Sequence, residues 1–386
     1  MSKLEKLIQQ YCPDGVEYKA LGKVTIMKRG TSATKGIMQA GNIPVISGGR
    51  QPAFYCNASN RTGEVITVAG SGAGAGYVQY WNEPIFVCDA FSIQGNETLN
   101  TKYVYYVLTS IQEKIYSTKK GGGVPHVHIS SIDKFEIPLP PLPVQEEIVR
   151  VLDAFTELQA ELQAELQKRK QQYNFYRDNL LNFKDINRGG QEIKWMKLKD
   201  VATVYDGTHQ TPAYKESGIP FISVENIGNI YNSRKYISRE DFDKYKIKPQ
   251  KGDVFMTRIG SIGVCAVFEK QADIAYYVSL ALIRPDHNAV NSRYLKHIIE
   301  SLTGCKELRK RTLINAVPIK VNKDDIGKIV LPFPSLTEQQ KIVDILDRFD
   351  TLTNDLTSGL PAEMEKRRQQ YEFYRDKLLT FKRKEA

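Results

Sequence analysis

Six clusters in this chain bring together side chains that neutralise phosphate and form paired hydrogen bonds with the edges of bases. The first three hold Lys28, Arg29 and Thr31, then Ser47 and Arg50 around two glycines, then Lys119, Lys120 and His126 in the stretch ending at His128. The others hold Thr208, His209 and Gln210, then Asn226 in Ser223-Val224-Glu225-Asn226, then Arg311 and Lys320. Arg, Asn, Gln and His are side chains that form hydrogen bonds with base edges, paired ones where the group is forked. Each of them, taken singly, is also an ordinary solvated loop residue.

Two glycine turns accompany these clusters. Ser71 lies in Gly70-Ser71-Gly72-Ala73-Gly74-Ala75-Gly76, and Arg258 and Ser261 lie in Arg258-Ile259-Gly260-Ser261-Ile262-Gly263. Neither matches G-x-G-x-x-G or carries the Lys-Ser/Thr of a phosphate loop, so no nucleotide is expected. Two readings stay open: bare backbone approaching a phosphate, or a hairpin with no ligand. His126 and His128 alternate without the further ligands a metal needs, so no metal site is expected. With no carboxylate–lysine or cofactor-binding constellation, the chain reads as non-catalytic.

Charge sharpens this picture. The net charge is +10. Its excess lies in residues 1–142, with 14 Lys and Arg against 10 Asp and Glu, and in 191–335, with 23 against 16. Segments 143–190 (7 against 8) and 336–386 (10 against 10) carry none of it. Two basic regions alternating with two nearly neutral ones suit domains that meet phosphate and segments that space them. The 41% of apolar residues is enough for real cores. Five cysteines without a C-x-x-C pair, and no signal-peptide or membrane-spanning run, lead to the expectation of a cytoplasmic protein with reduced thiols.

The elements that must position the clusters come in duplicate. Residues 171–183 return at 369–381 with ten of thirteen positions identical. Ile148, Leu152, Asp153, Phe155 and Leu158 return 194 residues later as Ile342, Leu346, Asp347, Phe349 and Leu352, so four residues are gained inside the second copy. Apolar residues spaced by three and four predict a helix over 143–183 and a second from about 336 to 381. Proline runs precede both, Thr337 with Gln340 reads as a capping box, and a kink or break is expected at Ser358-Gly359-Leu360-Pro361. Stripes this long need a partner, and an antiparallel pair is the simplest one. The basic regions read as curved mixed sheets with helices at Tyr103–Tyr116 and Tyr294–Lys310. The expected fold is α+β: domains 1–142 and 191–335, separated by a coiled-coil pair of spacer helices at 143–190 and 336–386, with internal two-fold pseudo-symmetry.

Leu-Pro-Pro-Leu-Pro-Val-Gln-Glu-Glu-Ile before one helix, Leu-Pro-Phe-Pro-Ser-Leu-Thr-Glu-Gln-Gln-Lys-Ile before the other, Ile-Pro-x-Ile-Ser and the Gly-Asp/Glu-Val strands together resemble the specificity subunits of type I restriction-modification systems. The resemblance covers essentially the whole chain. It implies a duplex DNA reader whose two target-recognition domains each take half of a split asymmetric site. It also implies that the helices dock two methyltransferase subunits, which restriction subunits join. S-adenosylmethionine, ATP and magnesium would then sit on those partners and no cofactor on this chain. The aromatic positions Phe155, Tyr173, Phe175, Tyr176 and Phe183, with Phe349, Tyr371, Phe373, Tyr374 and Phe381, suit either partner docking or packing of the helix pair. The tandem Glu-Leu-Gln-Ala units between Glu157 and Gln167 resemble the short repeats that set the unread gap in this family. A protein scaffold that reads no DNA is the alternative.

Overall fold

The computed structural model describes residues 2–33, 39–183, 193–354 and 359–385, and the chain divides into two compact units, Met1–Gln163 with Glu363–Ala386, and Ala164–Ala362. In the first unit, helices α1 (Lys3–Tyr11) and α2 (Leu21–Val24) flank strand β1 (Glu17–Ala20). There follow β2 (Thr25–Arg29), β3 (Ile43–Ile46), β4 (Phe54–Cys56), β5 (Val65–Ala69), β6 (Val78–Trp81), β7 (Phe86–Val87) and β8 (Ala90–Gly95). Helices α3 (Thr101–Ser110), α4 (Gln112–Tyr116) and α5 (Ile129–Ile132) lead to β9 (Glu136–Leu139) and then to the 39-residue helix α6 (Leu142–Leu180), about 58 Å long at 1.5 Å per residue.

Where one curved sheet was expected, the first unit has three: an antiparallel sheet in the order β2-β8-β5-β6, a mixed sheet β4-β3-β7, and a ladder β1-β9. Every residue of β5, Val-Ile-Thr-Val-Ala, is buried, as an inner strand covered on both faces requires. The predicted helix Tyr103–Tyr116 breaks at Ile111 into α3 and α4.

The second unit repeats this topology strand for strand. It contains β10 (Lys194–Lys197), β11 (Ala202–Asp206), β12 (Ile219–Ile222), β13 (Tyr236–Ile237), helix α7 (Arg239–Asp243), β14 (Val254–Thr257), β15 (Cys265–Val267), β16 (Ala275–Tyr276) and β17 (Leu280–Pro285). Helices α8 (Ser292–Glu300), α9 (Leu302–Arg309) and α10 (Lys323–Ile326) precede β18 (Val330–Phe333). The sheets are β11-β17-β14-β15, β13-β12-β16 and β10-β18. The predicted helix Tyr294–Lys310 divides because Ser301 takes an extended conformation and caps α9 through Gly304 N–H.

Helices α11 (Leu336–Asn354) and α12 (Leu360–Leu378) complete the chain. Of the expected kink at Ser358-Gly359-Leu360-Pro361, Ser358 lies outside the described residues, while Leu360 and Pro361 open α12. The start of α11 is a correction: Ser335 caps it by accepting from Glu338 N–H at 3.4 Å, and Thr337 lies already inside the helix. Within the first unit α12 runs antiparallel to α6. Its C-terminal end meets β1, where Tyr18 Oη donates to the Phe381 carbonyl at 2.9 Å, and β1 pairs with the strand that leads into α6. Within the second unit the far end of α6 and the start of α11 share one core, which contains Leu181, Phe183, Leu198, Phe333 and Leu346.

One residue type explains how each helix start is fixed. Gln145 and Gln339 occupy equivalent positions and are 1% and 0% exposed. The Gln339 amide donates to the carbonyls of Pro334 and Ala289, both at 2.9 Å, and accepts from Asn291 N–H at 2.9 Å. Gln145 donates to Pro140 (2.7 Å) and Thr98 (3.2 Å) and accepts from Asn100 N–H at 2.8 Å. Tyr103 and Tyr294, both fully buried, add hydroxyl bonds to the Pro138 and Pro332 carbonyls at 3.1 and 2.7 Å. The proline runs therefore stop the helix and also present carbonyls to these clamps.

Candidate nucleic-acid interface

In each unit the sequence clusters meet at one end of the four-stranded sheet. Arg29 ends β2, and the chain then crosses the neighbouring strand: Gly30 N–H donates to Ala90 O at 2.8 Å and Thr31 N–H to Val87 O at 2.9 Å. Only glycine fits at this crossing, since a Cβ on Gly30 would lie 1.9 Å from Cys88 O, and one on the equivalent Gly207 would lie 2.4 Å from Tyr277 O. The turn after β5 then receives the distal loop, with Gly72 N–H to Pro125 O and Val127 N–H to Gly70 O, both 3.0 Å. Gly48, beside Ser47, packs so closely on Ser71 that a Cβ there would meet its carbonyl at 2.2 Å.

Arg29, Ser32, Asp89, His126 and His128 line a cavity of about 440 Å³ at this end. The two imidazoles stack at 6.0 Å, and Ser71 Oγ donates to Asp89. Lys28, Arg29 and Lys120 are exposed and make no ion pair among the described residues. Arg50 and Lys119 lie over the rings of Tyr77 and Tyr116, at 4.9 and 4.2 Å, which fixes their side chains while leaving their charge uncompensated.

The second unit builds the same end with different chemistry. Thr208 N–H donates to Tyr276 O at 3.1 Å, Gly260 N–H to Ile319 O at 2.9 Å and Val321 N–H to Arg258 O at 3.0 Å. Arg258 is 6% exposed and paired with Asp206, so its guanidinium serves the fold. The Asn226 amide is also spent internally, accepting from Ser223 N–H at 3.0 Å and donating to Asn232 O at 3.1 Å. Arg311 is tied to Glu307 at 3.0 Å, and Thr208 Oγ1 closes a turn with Gln210 N–H at 3.2 Å. His209, Gln210, Ser261 and Lys320 remain exposed at this end.

A larger cavity in the second unit, about 1030 Å³, lies among Tyr173, Arg177, Arg293, Lys296, Asp347 and Tyr231. Most of its charges are already matched. Arg293 and Lys296 bind Asp347 and Asp350 at 2.5 Å, and His297 Nε2 lies 2.8 Å from Asp347. Burial opposes the charge on Asp347, yet bonds to His297 and Arg293 hold its carboxyl below the usual range. This compensated network suits the anchoring of α8 to α11 and is a poor phosphate site.

The aromatic positions sort into two kinds. Phe155 stacks on Tyr374 at 5.6 Å in the first unit, and the equivalent Phe349 stacks on Tyr176 at 5.5 Å in the second. Tyr173, Phe183, Tyr371 and Phe381 pack against the cores, and burial pushes the Tyr371 phenol up to about 12. Phe175 and Phe373 are 63% and 64% exposed. Composition and spacing do not single out Asp89, Gln145 or Gln339, although the two glutamines are visible as a repeated residue after each proline run; Asp206 stands in the cluster Tyr205 to Gln210, but its ion pair with Arg258 is visible only in the fold. Among the described residues no group of three or more His, Cys, Asp or Glu is placed to hold a metal.

A fold present twice, with polar loops gathered at the same sheet end of each copy and free cations among them, suits a modular recognition protein. The chain belongs to the type I restriction-modification specificity family: the profile described as type I restriction modification DNA specificity domain matches residues 13–169 and again 191–366. It is 31% identical to the type I restriction enzyme EcoR124I/EcoR124II specificity subunit of Escherichia coli, over 100% of this chain and 98% of that protein. Its fold matches the crystal structure of a type I restriction-modification S subunit from M. genitalium with a TM-score of 0.60 and 17% identity, over 95% of this chain and 96% of that one. It also matches a chain from a structural study of complex assembly and conformational transition of the type I R-M system, with a TM-score of 0.61 and 17% identity, over 95% and 98%. As a member of this family the chain is a non-catalytic DNA-recognition component. No described helix is long and apolar enough to cross a membrane.

Proposed function

We propose that residues 1–142 and 191–335 are two target-recognition domains that each read one half of a bipartite asymmetric DNA site. Segments 143–190 and 336–386 set the gap between the halves. The observation that carries this reading is the convergence of three loops at the same sheet end of two topologically identical domains, with uncompensated Lys28, Arg29, Lys119 and Lys120 in one and Lys320 in the other. Lys28, Arg29, Lys119 and Lys120 meet phosphate or guanine in one half-site; His209, Gln210, Ser261 and Lys320 serve the other. Phe175 and Phe373, exposed at equivalent positions of the repeat, dock two methyltransferase subunits. S-adenosylmethionine, ATP and magnesium belong to the methyltransferase and restriction partners. The test is to express the chain with its modification subunit and map methylated adenines by single-molecule sequencing. A split motif with a fixed gap is expected; methylation that does not depend on this chain overturns the reading.

A further inference from the structure

The second unit exposes an apolar patch that its cores do not use. Leu313 and Lys320 are paired through Leu313 N–H to Lys320 O at 2.8 Å, and between them run Ile314-Asn315-Ala316-Val317-Pro318-Ile319. Leu313, Ile314, Val317 and Ile319 are all exposed, Ile314 by 65% and Val317 by 100%. The loop is nevertheless anchored: Ala316 N–H donates to Leu313 O at 3.2 Å, and Gly260 N–H fixes Ile319 O at 2.9 Å. Those bonds hold the apolar tip against the turn that follows β14, at the end assigned above to DNA, with unpaired Lys320 at its base.

Four branched aliphatic side chains in seven residues gain nothing from water or from phosphate. On a basic surface that meets a duplex, the apolar surfaces within their reach are base faces and thymine methyl groups. The first unit gives a contrast. Its equivalent loop, closed by mutual Lys120 and His126 bonds at 2.9 and 2.8 Å, reads Gly121-Gly122-Gly123-Val124-Pro125. It keeps a Val-Pro tip, but glycines stand where the second loop has aliphatics, and Lys119 and Lys120 flank it.

We propose that the loop Leu313–Lys320 is a wedge that enters a DNA groove at the second half-site and inserts Ile314 and Val317 at one base step, unstacking it. This rests on the DNA-reading function proposed above. The first domain, with glycines around Val124, does not unstack its half-site.

The test uses the full chain assembled with its modification subunits and the duplex that methylation mapping identifies. 2-Aminopurine is placed singly at each purine of both half-sites. Fluorescence is expected to rise at one step of the second half-site other than the methylated adenine, whose own extrusion belongs to the methyltransferase. The I314S/V317S double variant, altered only at solvent-exposed side chains, is expected to melt as the native chain does. It should lose that rise and bind the cognate duplex about 10-fold more weakly, the usual cost of one lost base contact. Cognate binding without such a rise, or a rise that persists in the variant, overturns the wedge and leaves the reader intact. Impaired assembly with the modification subunits, at unchanged DNA affinity of what assembles, overturns it in favour of a protein contact. Absence of any sequence-specific binding by the native complex removes the DNA-reading function itself, and the wedge with it.

Discussion

Replacing Gln339 by leucine keeps most of the side-chain volume but removes the three hydrogen bonds that its amide makes at the start of α11. The carbonyls of Pro334 and Ala289 and the N–H of Asn291 then lose their partner around a side chain that is 0% exposed. An orphaned buried polar group costs about 1–3 kcal/mol. Partial hydration of the half-exposed groups trims the sum, which leaves a destabilisation of about 3–5 kcal/mol. For a unit of this size each kcal/mol shifts melting by about 2–4 °C, so the transition of the second unit should fall by roughly 10 °C in thermal unfolding followed by circular dichroism. Gln339→Ala adds a cavity and should fall slightly further. If Gln339→Leu melts within about 1 kcal/mol of the native chain, the glutamine is filler, and the account of how the proline runs fix the helix start is wrong. Gln145→Leu is the matching experiment on the first unit.

Arg29→Ala should leave the melting temperature unchanged, weaken DNA binding, and reduce the slope of log affinity against log salt by about 1. Arg258→Ala should instead cost about 1–3 kcal/mol of stability, because it removes the buried partner of the partly exposed Asp206, which keeps only His209 at 3.8 Å; a normal melting curve with altered base preference would make Arg258 a reader. Glu147, 3% exposed, is held near 2 by hydrogen bonds from Arg150 and Lys3 acting against burial. Because this pKa is depressed in the folded chain, its stabilisation of roughly 1–3 kcal/mol is present above pH about 4.5 and disappears as the pH falls toward about 2. Urea titrations from pH 7 to 3 should therefore show a shallower loss in Glu147→Gln than in the native chain. A Phe175→Ser/Phe373→Ser double variant should melt normally but fail to co-purify with the methyltransferase subunit; retained co-purification removes these residues from the docking surface. Deleting one Glu-Leu-Gln-Ala unit shortens α6 by about 6 Å and should shorten the unread gap without changing either half-site, as read by methylation mapping.

The duplication, the helix α6 and the loop clusters were legible because they are periodic or compositional. Leu152, Tyr173 and Phe183 announce a buried face by spacing alone. Three sheets in each domain were not legible, because β7, β13 and β16 are two residues long and owe their pairing to partners far away in sequence. Helix ends were also misplaced. Thr337 and Gln340 fit a capping pattern, but Ser335 lies at the boundary that the Pro334 carbonyl imposes. For side chains the limit was charge pairing. Arg258 has the residue type and the loop position of a base reader, and only the fold shows that Asp206 has claimed it.

That last exchange bears on specificity. At equivalent points of the two domains Arg29 ends β2 and Asp206 ends β11, while Gly70 follows β5 and Arg258 follows β14. The first domain thus turns a free guanidinium and the Asp89 carboxylate toward its cavity, whereas the second cancels its own pair and leaves Lys320, neutral donors, an imidazole and an apolar loop. Two scaffolds with one topology therefore offer a duplex different donors, acceptors and methyl groups. A palindromic site would not satisfy both, so the unlike half-sites proposed above follow from the different residues at equivalent strand ends, Arg29 with Gly70 in one domain and the Asp206–Arg258 pair in the other.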